Sequence, residues 1–333
     1  MAFPAPDRSA PTSPWKIVGL VVGVAILLCL MVIAFALPAA RSAPNDVPVG
    51  VVGTPAQVAQ VEQRASGFEL TRYSDPDDAR SAILNRDVYG AIVFGPQGPQ
   101  GVLVSSAASP TVATLLTAAG QRMGVTEPTI DVRAFPADDP KGAGLAAGAL
   151  PLALGGWIAA MVIMLLIPSN VGRLVAAACV SVVGGLALVA TLQFLIGTFD
   201  GNYWLTALAG MLGIAATCFM VLGFRELLGG IGLVIAAILL IFLGNPLSGL
   251  ASAPELLPSP WGALGQLLPP GATGTLLRDV VFFEGNGMAH ALVVLLGWLA
   301  VGLLLYGAGM IKARRKASAA DTASEPNSAV PVG

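Results

Sequence analysis

The stretch "PELLPSPWGALGQLLPPGATGTLLRDVVFF", residues 254–283, decides how the second half of this chain folds. It is too apolar for a water-facing loop, with Leu256, Leu257, Trp261, Leu264, Leu267 and Leu268 in its first half, and too interrupted for a membrane span. Between Gly244 and Gly287 stand six prolines, Pro246, Pro254, Pro258, Pro260, Pro269 and Pro270. Each removes a backbone donor and turns the residue before it away from the helical region, so no continuous span forms. Irregular backbone survives at membrane depth only where protein buries it or where it lines a cavity. Two short helices, "PWGALGQLL" and "GATGTLLRDVVFFEG", joined by a turn at Pro269–Pro270–Gly271, meet both demands. The expectation is a re-entrant hairpin within an outer loop, 245–287, that plugs or shapes the outer end of a helical bundle, with Trp261 and Gln266 on its first arm and Arg278 and Asp279 near the mouth.

The flanking sequence is that of a membrane protein. The chain has 333 residues, 55% of them hydrophobic and only 11% charged, whereas soluble domains carry about a quarter charged residues. Six segments approach the roughly 20 apolar residues that cross a hydrocarbon core: Ile17–Leu37, Gly148–Ile167, Leu174–Ile196, Leu205–Gly223, Leu227–Gly244 and Met288–Ile311. Charge divides the chain. Residues 41–147 hold 19 of the 36 charged side chains and 148–310 only eight, so the first region reads as soluble and the second as embedded. The expected fold is a polytopic α-helical membrane protein of six transmembrane helices, with an exported α/β domain between the first and second spans and the re-entrant helical hairpin before the last. In order these are a cytoplasmic segment 1–16, span 17–37, exported domain 38–147, a five-helix membrane domain 148–311 and a disordered cytoplasmic tail 312–333.

Orientation follows from the basic residues, which stay on the cytoplasmic side. Arg8, Lys16, Arg173, Arg225, Lys312, Arg314, Arg315 and Lys316 all fall on one side if the spans alternate, which makes both termini cytoplasmic. The small residues of "LPAARSAP" after the first span resemble a signal cleavage site. The apolar run of about 21 residues exceeds the 7–15 of a signal peptide, so an uncleaved anchor is expected. Alanine-rich, lysine-poor usage fits a bacterial chain in the plasma membrane, and the basic start of the tail suits an anionic inner leaflet.

Within 41–147 the pattern alternates strand and helix. "VPVGVVG", "FELTRYS", "YGAIVFG", "GVLVSSA" and "TIDVRAF" read as strands. "TPAQVAQVEQRASG" reads as a helix with Thr54 as N-cap, Pro55 in its first turn and Gly67 as its stop. "DPDDARSAILNRD" and "TVATLLTAAGQRMG" supply two more, the latter started by Ser109 and Pro110. Such alternation favours a sheet with helices packed on it.

Chemistry-bearing constellations are scarce. Cys29, Cys179 and Cys218 lie inside expected spans and His290 is the only histidine, a spacing that suits neither disulfides nor a metal. The groups Asp75, Asp77, Asp78 and Asp138, Asp139 are readable as cation ligands or as helix caps and solvated turns. "GVVGTPAQ" lacks the dinucleotide fingerprint, and the four lysines follow Trp, Pro, Ile and Arg, so no Walker motif exists. Neither Gly-x-Ser-x-Gly nor His-Glu-x-x-His occurs. The expectation is therefore no enzyme and no cofactor. A net charge of −2 without a basic, aromatic-interleaved patch argues against nucleic acid. Ionisable residues within spans mark ion-coupled pumps, and none sits at the centre of an expected span here. Gln193 is the polar exception, a candidate for the translocation path, while Asp200, Asn202, Tyr203 and Trp204 form an outer turn with aromatics suited to the interface.

One anchor span, an exported α/β domain, five further spans and "LPSPWGALGQLLPPGATGTLLRDVVFFEG" before the last resemble the type-2 ABC exporter permeases, the phage-infection-protein-like branch above all. The layout covers nearly the whole chain; the residue-level resemblance is confined to that loop, with its Leu-Pro, aromatic, Leu-Pro-Pro-Gly and Leu-Arg elements. The resemblance implies a homodimeric or heterodimeric permease that moves a lipid-like, peptide or amphipathic substrate outward, driven by a separate ATPase. The ATPase contact it implies falls on "PSNVGR", with Ser169, Asn170 and Arg173, and on "GFRELLGG", where Arg225 and Glu226 either pair with each other or meet the partner. Trp261, Gln266, Pro269, Pro270, Arg278 and Asp279 are candidates for its outer gate or re-entrant loop. Very short cytoplasmic loops leave a second reading open, a non-transporting membrane scaffold whose exported domain binds a cell-envelope partner.

Overall fold

The computed structural model describes residues 13–63, 65–250 and 252–324. Arg8 and the last nine residues of the tail lie outside them. The chain is mostly helical, with four long apolar helices and one five-stranded mixed sheet.

Helix α1 (Pro14–Ala40) leads into β1 (Val47–Val52), α2 (Pro55–Glu62), β2 (Phe68–Tyr73), α3 (Pro76–Leu84), β3 (Gly90–Gly95), β4 (Gly98–Val104), α4 (Pro110–Arg122) and β5 (Ile130–Asp131). Local chemistry starts all three short helices. Thr54 and Gln57 form a reciprocal capping box, the Asp75 carboxylate accepts from the Asp77 and Asp78 amides at 2.9 and 2.8 Å, and Ser109 accepts from Val112. Each cap is followed by proline, where the missing N–H has no helical acceptor to lose. The sheet order is β2-β1-β3-β4-β5; β1 runs parallel to both neighbours, β3 and β4 form an antiparallel hairpin, and β5 lies parallel to β4. Strand alternation sends Val49, Val51, Val102 and Val104 to the face of α2 and α4, and Val52, Ala91 and Leu103 to that of α3.

Two boundaries differ from the sequence reading. Helix α2 stops at Glu62 with Gln63 as its C-cap, and Gly67 instead makes the turn into β2 at φ +84°. The last strand pairs over only two residues. Beyond Asp131 the Arg133 carbonyl accepts from the Ala107 amide and the Ser105 hydroxyl, and the chain leaves the sheet so that Phe135 meets Phe282 edge-on at 5.3 Å.

The bundle consists of α5 (Ala143–Leu166), α6 (Asn170–Ala190) with a π-helical end (Thr191–Leu195), α7 (Tyr203–Leu228), α8 (Gly230–Ala237) with a π-helical end (Ile238–Gly244), the short α9 (Trp261–Gln266), α10 (Pro269–Phe282) and α11 (Ala289–Ser324). Among the described residues four stretches are long and apolar enough to cross a membrane: Pro14–Pro38, Asn170–Leu195, Tyr203–Leu228 and Ala289–Ser318. Two shorter apolar stretches are Leu154–Leu166, within α5, and Gly230–Gly244. A multi-pass membrane protein follows from these helices.

Helix α7 is the axis around which α5, α6, α10 and α11 pack. Small residues let backbones touch: a Cβ on Gly223 would strike the Gly302 backbone, and one on Gly302 would strike Phe219 and Met220. The helix runs five residues past its expected end, so Arg225 and Glu226 belong to its last turn, and the reversal into α8 is made at Gly229 (φ +68°). Helix α11 likewise continues past Ile311 to Ser324, because "KARRKASAADTAS" holds good helix formers and neither glycine nor proline.

The proline-broken stretch forms two helices, with a correction at their junction. Pro269 and Pro270 open α10, where neither owes a backbone bond, and the chain reverses at Leu267–Leu268. Helix α10 is buried almost throughout against α5, α7 and α11. Leu256, Leu257 and Leu268 are buried as their apolarity demands, whereas Trp261, Leu264 and Leu267 make an exposed apolar stripe on α9.

Candidate functional site

The end of α10 is the place where the α/β domain and the bundle are joined by buried charge. An apolar helix ending in Arg278 and Asp279 must find partners for both, because an unpaired buried charge costs several kcal/mol. Arg86 supplies one. It stands in the turn after α3 at φ +68°, and its Nε donates to Asp279 Oδ1 at 3.0 Å; the two side chains are 12% and 1% exposed. The same guanidinium lies over the rings of Tyr89, at 5.3 Å, and Phe283, at 4.9 Å, a position that favours cations over aromatic faces. Tyr89 donates to Glu255 Oε2 at 2.8 Å. Burial first, and then the Glu255 charge, raise the Tyr89 hydroxyl so that it stays a donor.

Arg278, on the other side of Asp279, donates from Nη2 to the Leu250 carbonyl at 2.9 Å, while its Nε is buried without a partner. Helix α10 lies outside the four spanning candidates. Burial pushes the Asp279 carboxyl up to about 6, against the opposite pull of Arg86 and Arg278. Burial also lowers the Arg278 guanidinium to about 10, and the nearby Arg86 charge adds to that shift.

A second arm grips the same helix end. Arg133, from the segment that leaves the sheet, donates to the Phe282 carbonyl at 2.7 Å and to Asp200 at 2.9 Å. The segment after α1 adds a third set: the Ala43 amide donates to the Leu256 carbonyl, the Asn45 amide to the Glu255 carbonyl and the Asn45 side chain to the Leu257 carbonyl. One apolar cluster runs through this junction from Val49 and Val104 by way of Phe135 and Phe282 to Leu276 and Ala216. The α/β domain is thus tied to α10, which lies along α7.

The acidic groups read from sequence act as caps. Asp75 starts α3, as described. Asp139 accepts from the Ala143 and Gly144 amides at 2.9 and 2.8 Å, starting α5, and from the Thr198 hydroxyl at 3.1 Å. Gln193 lies in the π-helical end of α6, where its amide donates to the Gly201 carbonyl at 2.9 Å and its Oε1 is buried without a partner. Asn202 caps α7 through the Trp204 and Leu205 amides, Tyr203 donates to the Leu186 carbonyl, and Trp204 is exposed. Gln266 bonds at both ends of its amide, donating to the Ser248 carbonyl and accepting from Thr275, so it fixes α9 against α10. Trp261 is 45% exposed and walls a cleft of about 230 Å³ with Phe242, Leu243 and the end of α1.

At the opposite end of α7 the residues expected to meet a partner mostly meet one another. Ser169 caps α6 through the Gly172 amide; Glu226 faces Arg173 at 3.6 Å and accepts from Asn170; Arg173 also donates to the Ile167 carbonyl, and Tyr306 to that of Asn170. Of the two alternatives for Arg225 and Glu226, a pair with each other is absent among the described residues, since neighbours in a helix point to different faces. Arg225 is exposed.

Arg86, Tyr89, Arg133 and Glu255 escaped the sequence reading. Arg86 looks like a solvated turn residue, and the 193 positions between it and Asp279 hide the pair. The available signal was indirect: two charges in an otherwise apolar helix end require distant partners. No family model matches this chain, and no curated protein matches it.

Proposed function

We propose that this chain is the permease subunit of an ABC-type exporter, moving a lipid-like, peptide or amphipathic substrate outward across a bacterial plasma membrane. A separate ATPase does the work, and two permease chains, alike or different, surround the path. In this reading all six apolar segments cross the bilayer, both termini are cytoplasmic, and α9–α10 re-enters from the outer side. The observation that carries it is α10, a proline-started helix sunk against α7 and tied to the α/β domain at Asp279 and Phe282. A helix so held passes a rearrangement of the bundle to the outer domain. Gln193 and Trp261 are then path and gate residues, and Arg225, with Ser169, Asn170, Arg173 and Glu226 behind it, is the ATPase-facing surface.

The second reading, a membrane scaffold whose α/β domain binds an envelope partner, is favoured by one feature. Arg173, Glu226 and Asn170 satisfy one another, which leaves Arg225 as the exposed charge of that set.

Purification of the full chain from its native host in mild detergent, with mass spectrometry of what accompanies it, separates the two. A stoichiometric ATPase, lost on Arg225→Ala, is the expected result. Its repeated absence from an otherwise intact complex overturns the exporter reading and favours the scaffold.

A further inference from the structure

The α/β domain carries a groove of about 780 Å³ beside the junction, sharing Val49 with its apolar cluster. Helices α2 and α4 cover the same sheet face but leave a strip between them, floored by Leu70, Ile92 and Phe94 and walled by Val61, Leu115 and Met123. The volume lies in the range of about 300–1,000 Å³ typical of small-molecule sites. Leu115 is 38% exposed although it faces this apolar channel. Among the described lining residues a single side chain is charged, Arg122 in the last turn of α4, and it forms no ion pair among the described residues.

Position narrows the occupant. Pro44 also lines the groove and follows the end of α1 by four residues, a reach of at most about 14 Å at 3.3–3.6 Å per residue. Since α1 is apolar and long enough to span a membrane, the Pro44 end of the groove lies within that reach of the end of a candidate spanning helix. A mostly apolar groove, with Gln57 and Gln60 as its uncharged polar lining and Arg122 as its described cation, fits a chain of methylenes ending in an anion; a guanidinium recognises phosphate through paired hydrogen bonds. A peptide strand would instead seek a sheet edge, and this groove lies on a face.

We infer that the groove holds one acyl chain of an anionic phospholipid drawn from the adjacent leaflet, with its phosphate on Arg122. The inference goes beyond the exporter reading and stands without an ATPase.

The test uses the full chain in nanodiscs of neutral phosphatidylcholine doped with phosphatidylglycerol that bears a photoactivatable diazirine in one acyl chain. Peptide mapping after illumination is expected to find adducts on α2 and α4 as well as on the spanning helices. Ala119→Trp, which fills the channel, and Leu115→Gln, a milder change at an exposed position, should each deplete groove adducts and leave those on the spans unchanged. Arg122→Glu should lower them about tenfold, the scale of one charge-assisted hydrogen bond, while Arg122→Lys retains most of the signal. Adducts confined to the spanning helices, or groove adducts indifferent to both Ala119→Trp and Leu115→Gln, would overturn the inference. Equal labelling by diazirine phosphatidylcholine, or labelling by a diazirine fatty acid alone, would overturn the assignment to an anionic phospholipid.

Discussion

Helices α1 and α7 would be ranked the wrong way round by hydropathy alone. The most apolar window of α1 has a mean hydropathy of 3.2 and none of it is buried in the protein; that of α7 scores 2.1 and is 72% buried. Helix α1 is built from large aliphatics such as Leu20, Ile26 and Leu30, all exposed. Helix α7 is rich in glycine, alanine and threonine, among them Gly210, Gly213, Ala216 and Thr217, all buried. Lipid tails are as apolar as leucine, so a helix gains nothing from hydrophobicity by turning to a neighbour; close packing of small residues is what brings helices together. Maximum hydropathy thus marks the helix whose surface the rest of the chain leaves uncovered, and small polar-tolerant composition the central one.

That contrast extends to α10, the least span-like and nearly the most buried helix, and it is most exposed to failure there. Arg86→Ala leaves Asp279 buried without its cation, and should cost about 3–5 kcal/mol, read as a large fall in thermal midpoint in detergent. Arg86→Ala/Asp279→Ala should recover part of that loss; no recovery would mean that the two act independently. Gly302→Val forces a side chain into the Phe219–Met220 backbone and should cost about 1–3 kcal/mol. Next in size is Tyr89→Phe, which orphans the Glu255 carboxylate, for about 1–3 kcal/mol where that group stays dry and less where water reaches it. The smallest effect belongs to Gly23→Leu in α1, which meets nothing within 4 Å and should stay within about 0.5 kcal/mol. A Gly23→Leu protein as unstable as Gly302→Val would show that α1 is packed against something in the membrane, and the comparison would break.

Much of the α/β domain was legible because its signals are local. Thr54, Asp75 and Ser109, each before a proline, start helices where the sequence places them. The short β5 was not legible: "TIDVRAF" has strand composition throughout, but the packing of Phe135 on Phe282 draws the chain off the sheet after two residues. Of the candidate site, Arg278 and Asp279 stood out as charges in an apolar helix. Arg86, which pairs with Asp279, and the Tyr89–Glu255 pair beside it did not, because nothing local distinguishes a turn arginine that is solvated from one that closes a buried pair.

The sequence by itself determined that the chain is a multi-pass membrane protein, that a mixed α/β unit interrupts its helices, and that residues 254–283 cannot span. Composition, capping and proline are enough for that, since each acts within a few residues. Only the tertiary structure decided which helix is central and how α10 is tied to the α/β domain. Those outcomes depend on backbone approach at glycines and on pairing of charges far apart in the chain, and neither leaves a mark in hydropathy.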